Sequence, residues 1–177
     1  MFSRAGRAAL LDRKPFTEAF FDSDSAADAA ILVSSVAAAT YAGILLLPGG
    51  IGAFSVIGLL QVVIAGVVSW LILGFATWFA ATRLFGGSGR PQTMLGLHGL
   101  AVLPLLLEMT GSLGGTIGSL GGTIGLIWYL VVLVVATREA VDLQTRDAAV
   151  SVLIGFALAV IFRALLGVPF AVFSAMF

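Results

Sequence analysis

SVIGLLQVVIAGVVSWLILGFATWFAATRL, Ser55 to Leu84, decides the fold class. Its one charge, Arg83, sits at the end, and everything before it except Gln61 is apolar or small. A membrane-spanning helix needs about 20 mostly apolar residues. This stretch exceeds that length, so a helix here tilts or protrudes from the hydrocarbon. Trp78 near its end suits an interfacial anchor. Upstream, AAILVSSVAAATYAGILLL from Ala29 to Leu47 predicts a first span, with Asp22, Asp24 and Asp28 ahead of it and the turn signal Pro48-Gly49-Gly50 behind it. Downstream, the polar loop RLFGGSGRPQT leads into a short third span, Met94 to Met109, which carries His98, Pro104 and Glu108. A fourth runs from Ile117 to Thr137 and ends in the polar loop Arg138 to Asp147. The fifth begins at Ala148 and stays apolar to Phe177, divided by Arg163 and by the break Gly167-Val168-Pro169. Its last residues either complete the span or lie in the outer interface.

Composition agrees. Of 177 residues, 60% are hydrophobic and 10% charged, against about a quarter charged in soluble domains. Too little polar surface exists to cover a water-facing globule, so most of the exterior must meet something apolar. The fold expected is an all-α polytopic bundle of five transmembrane helices over residues 29–177, preceded by a cytosolic or interfacial segment, residues 1–28. That segment has no apolar stretch ahead of Arg13 and Lys14 that would mark a cleaved signal peptide. Two readings stand for it. Pro15-Phe16 and Phe20-Phe21 lie in the inner leaflet surface, or the segment is a loosely ordered tail.

Orientation follows from positive charge. Arg4, Arg7, Arg13 and Lys14 precede the first span, Arg83 and Arg90 lie between spans two and three, and Arg138 and Arg146 lie between four and five. With five spans, these all fall on one side, and the linkers after spans one and three have no base. By the positive-inside rule this multi-pass cell-membrane protein has a cytosolic N-terminus and an extracytosolic C-terminus.

Glu108 is the only acid inside a predicted span and Arg163 the only base. Counted from the inner ends of spans three and five, at about 1.5 Å per residue, both lie roughly 22–24 Å deep. Opposite charges at one height predict an intramembrane ion pair, read as a lock between the spans or as the lining of a polar pathway. His98 is the only histidine. About one turn inside its span, it reads as a hydrogen-bonded structural residue, or as a group at the mouth of such a pathway together with Pro104, which removes a backbone donor. The tandem heptad GSLGGTI, Gly111 to Ile117 and Gly118 to Ile124, sets glycines four apart. It reads as a flexible outer loop in preference to a close helix seam.

Catalytic chemistry finds no support. His98 and Glu108 are about 15 Å apart along a helix, and neither HExxH nor GxSxG is present. One histidine and no cysteine give no metal site, and no cofactor is expected. Zero net charge argues against nucleic acid.

Two stretches are similar to a known family. RLFGGSGRPQTMLGLHGLAVLPLLL, Arg83 to Leu107, and IWYLVVLVVATREAVDLQTRDAAVSVLIGF, Ile127 to Phe156, resemble the Ypt-interacting-protein (Yip) domain family. The positions that carry the likeness are Gly86, Gly87, Gln92, Thr93, Pro104, Arg138, Glu139, Arg146 and Ala148. The resemblance implies a five-helix membrane domain with a cytosolic N-terminus, of the short prokaryotic type. For eukaryotic relatives it implies vesicle trafficking, Rab-type GTPase association and membrane shaping. The function expected is a non-enzymatic scaffold or adaptor whose partners are the bilayer and proteins met at the loops 83–93 and 138–147. Self-association is permitted by its glycine- and alanine-rich spans. A small transporter or channel using Glu108 and Arg163 is the alternative.

Overall fold

In the computed structural model, residues 2–22, 24–43, 55–113 and 115–175 are described. They are helical, with no strand among them. Two short helices open the chain, α1 (Phe2–Ala9) and α2 (Lys14–Phe20). Long helices follow: α3 (Ser25–Ala42), α4 (Val56–Arg83), α6 (Gly115–Val141) and α7 (Thr145–Ala175). Between α4 and α6 lies the short α5 (Pro91–Leu100), continued by a 3₁₀ segment, Leu103–Leu113. Four helices are long and apolar enough to cross a membrane, over Ser25–Ala42, Val56–Leu84, Ser119–Val141 and Thr145–Phe162.

The apolar surface is turned outward. Ile57, Leu60, Ile64, Phe75 and Phe79 of α4, Ile124 and Ile127 of α6, and Leu153, Ile161 and Leu165 of α7 are all exposed. A soluble monomer does not carry so extensive an apolar face, and these faces suit lipid. The interior is held by close packing rather than by exclusion of water, because lipid tails are as apolar as leucine. Hence the small residues at the crossings. A Cβ on Gly99 would collide with Ala29, and one on Gly96 would sit 2.5 Å from the Ser25 hydroxyl, so α3 and α5 lie nearly backbone to backbone. Gly155 of α7 meets Thr77 of α4 in the same way.

The segment expected as the third span forms a short apolar helix that gives way to a 3₁₀ stretch. Proline lacks an N–H, and its ring clashes with the carbonyl four residues back. Pro104 therefore stops an α-helical ladder at Leu100. The chain tightens instead into i→i−3 bonds, Ala101 N–H to the His98 carbonyl at 3.2 Å and Val102 N–H to Gly99 at 3.3 Å. In α7 the break expected at Gly167-Val168-Pro169 does not appear, and the helix runs to Ala175. One lost backbone donor is tolerated in a long spanning helix.

The glycine repeat also departs from expectation. Helix α6 starts at Gly115, so the second heptad, Gly118 to Ile124, is helical and not an outer loop. A Cβ on Gly121 would strike Thr110, and one on Gly125 would lie 2.8 Å from the Pro104 carbonyl. The glycines let the 3₁₀ segment run antiparallel against α6 at close range. In lipid that close approach outweighs glycine's preference for a loop.

Residues 2–22 form a docked hairpin. Ala5, Ala8, Pro15, Phe16 and Ala19 are buried, while Phe2, Leu10, Phe20 and Phe21 remain exposed. The two pairs of aromatic-rich positions thus divide: Phe16 is core, and Phe20 and Phe21 stack edge to face on the surface, centroids 5.3 Å apart.

Candidate functional site

The basic segments converge on one end of the bundle. The loop after α4 turns at Gly86, whose φ of +71° is a left-handed conformation that favours glycine. The loop then folds back onto the start of the α6–α7 turn. Gly87 N–H donates to the Ala81 carbonyl at 3.0 Å and Ser88 N–H to the Val141 carbonyl at 3.0 Å. Trp78 donates its indole N–H to the Gly89 carbonyl at 2.9 Å, a finer role than an interfacial anchor. Gly89 has no room for a side chain, since a Cβ would lie 2.5 Å from the Ala140 carbonyl. Arg90 is extended, as a residue before proline must be, and Pro91 opens α5 with its ready-made helical φ. Gln92 is exposed and Thr93 half-buried on that first turn.

On the facing turn Asp142 takes a φ of +53°. Arg138 donates to the Thr145 hydroxyl at 3.3 Å and lies 3.8 Å from Glu139. Arg146 is exposed. These residues, with Asp142 and Gln144, line a shallow polar pocket of about 510 Å³ over the turn. Its two arginines and two acids balance, so it has no charge preference.

The hairpin reaches from this end at Arg13 up to the middle of α6 at Trp128. Arg13 reaches Glu139 at 3.9 Å. Arg4 pairs with Glu18 at 3.3 Å and Asp22 at 3.0 Å, and Arg7 with Glu18 at 3.4 Å and Asp12 at 4.0 Å. The Asp24 backbone N–H, and then Arg4, hold the Asp22 carboxyl below its usual pKa. Trp128 of α6 donates its indole N–H to the Ala9 carbonyl at 2.8 Å. Sequence alone does not reveal this network, because its acids and bases lie 5 to 126 residues apart.

Beneath this surface lies a polar knot. His98 is fully buried, and its Nε2 is 2.9 Å from the Thr137 hydroxyl. The other ring nitrogen, Nδ1, and the buried Thr77 hydroxyl have no hydrogen-bond partner among the described residues. Trp70 gives its indole N–H to the Leu95 carbonyl at 3.2 Å. Thr137 is the partner that reading the sequence missed. The signal was its place at the end of an apolar run antiparallel to that of His98, at similar depth.

Pro104 is buried in the 3₁₀ stretch. The backbone of Glu108 lies in the 3₁₀ segment and that of Arg163 in α7, while their side chains, and with them the expected pairing, lie outside the described residues. Among the described residues no cluster of His, Cys, Asp or Glu has the makings of a metal site.

Comparison with curated proteins and with solved structures finds no match. The model of the Yip1 domain matches residues 10–167, which takes in α2 through most of α7, both basic loops and the His98–Thr137 knot. The chain therefore belongs to the Yip1 domain family of membrane proteins.

Proposed function

We propose that the chain is a non-enzymatic, five-span scaffold of the cell membrane whose cytosolic face recruits protein partners. The observation that carries this reading is the built surface at the cationic end. Backbone bonds from Gly87 and Ser88 and the Trp78–Gly89 bond tie two loops together, and Arg13 of the hairpin reaches Glu139 beside them. Fixed loops present side chains at low entropic cost to a partner.

Five crossings are geometrically reasonable. The ten residues of α5 rise about 15 Å, and the eleven of the 3₁₀ segment about 22 Å. Their sum exceeds the roughly 30 Å of hydrocarbon. With five crossings the N-terminus is cytosolic and the C-terminus extracytosolic. Since the chain contains no cysteine, single cysteines test this directly. Ser88→Cys and Gln144→Cys are expected to react with an impermeant maleimide only in inverted vesicles, and Gly50→Cys only in intact cells. Labelling of all three from one side overturns the topology.

Within this scaffold, Glu108 and Arg163 are read as an ion pair joining spans three and five. Leu105 and Ala159 line one cavity, and Glu108 and Arg163 follow them by three and four residues, which supports a common level. Glu108→Gln is expected to destabilise the bundle, and the exchange Glu108→Arg with Arg163→Glu to restore it. A Glu108→Gln protein as stable as the parent in detergent sinks the pairing.

Recruitment itself is tested by co-purification from native membranes. Gly89→Asp, which disrupts the tied loops, is expected to lose the partners that the parent chain retains. An unchanged set of partners with Gly89→Asp counts against the surface as the recruiting element.

A further inference from the structure

A cavity of about 340 Å³ lies inside the bundle, bounded by α3, α4, the 3₁₀ segment, α6 and α7. Its wall includes Val36, Ala37, Gly66, Leu105, Leu126 and Ala159. Gly66 lets α4 approach Ala37 of α3 closely, a Cβ there lying 3.1 Å from Ala37, and the space lies beside this crossing, next to the small Ala159. The volume equals that of about ten waters at roughly 30 Å³ each, within the range of a small-molecule site.

The chemistry of the wall selects the occupant. Thr40 donates its hydroxyl to the Val36 carbonyl at 2.9 Å, and Trp70 donates its N–H to Leu95. Both polar groups are thus spent on the protein's own backbone. Ser69 and Tyr129 add two hydroxyls to an otherwise hydrocarbon wall. The wall is mostly hydrocarbon, so a polar solute would lose most of its hydration without compensation. An unfilled void forfeits dispersion contacts on every wall. Val160, about half exposed at 49%, belongs both to the wall and to the outer surface of α7, so the cavity borders the lipid. We infer that this cavity is a binding site for one acyl chain of a bilayer phospholipid, which enters sideways past Val160.

The site rests on the helices lying in a bilayer and not on the recruitment of partners, so the two readings fail separately. The test is photolabelling of the full chain in phosphatidylcholine vesicles doped with a phosphatidylcholine that carries a mid-chain diazirine. Val36 and Leu73 line the cavity and are 5% and 4% exposed, while Leu97 and Leu133 are buried elsewhere at 0%. Label at Val36 and Leu73 is expected to exceed that at Leu97 and Leu133 at least tenfold. Label at the exposed Leu153 reports bilayer contact independently. Ala159→Phe, or Ser69→Phe from the opposite wall, is expected to cut the cavity label tenfold and to spare Leu153. Equal label at all four buried positions overturns the site, as does undiminished label in a folded filled variant. If neither variant folds, the ratio in the parent chain decides.

Discussion

His98 shows how one residue's environment fixes its role. Completely buried about two turns into α5, it is held by the Thr137 hydroxyl. Removing one partner of a buried bond strands the other, whereas removing both is often nearly neutral. His98→Leu is therefore expected to cost about 1–3 kcal/mol in detergent unfolding, and His98→Leu with Thr137→Val to recover most of that. Additive losses in the double variant would show that the two residues act separately. Asp22 offers a second test, by pH. Its folded pKa is depressed, so its contribution is present above the unfolded value of 3.8 and is lost as pH falls through the folded one. Pepsin cleavage at Leu10 and Leu11 is expected to accelerate below about pH 4 and to do so less in Asp22→Asn. A histidine inside a span announces itself in sequence. Its partner does not, because pairing depends on the rotation of two helices about their axes.

At the scale of elements, glycines mark which helices touch. Gly125 of α6 has no space for a side chain against Pro104 and Leu107, whereas Gly122, three residues earlier, faces open space. Gly125→Leu is expected to separate the 3₁₀ segment from α6 and lower the melting temperature. Gly122→Ala is expected to stabilise slightly, by up to about 1 kcal/mol from helix propensity alone. Equal effects at the two sites would remove the seam from this account. The spans formed by α3, α4, α6 and α7 were legible in the sequence because twenty apolar residues in a row have few other uses. The 3₁₀ continuation was not. Pro104 signals an interruption, but the choice between a kink and a change of helix type depends on what packs against it, here α6. The heptad repeat misled for a related reason: glycine reads as loop by backbone freedom, and its neighbours decide otherwise.

For the whole molecule, the membrane class and the clustering of basic residues at one end were written in composition and charge order. The docking of the hairpin was not. Its alternating alanines, bases and acids, at Ala5, Ala8, Arg4, Arg7 and Glu18, leave the face that binds the bundle ambiguous until the bundle is present. Trp128→Phe, which deletes the indole donor to Ala9, is expected to raise proteolysis at Arg7 and Arg13 without changing the thermal stability of the spans. Unaltered cleavage would mean that the remaining contacts suffice to hold the hairpin. That same bond joins residues 119 positions apart, and this has a consequence for biogenesis. The hairpin leaves the ribosome well before the indole that secures it is synthesised. At roughly 5–20 residues per second the delay is about 6–24 s. For that interval the hairpin lacks the α6 partner that later fixes it.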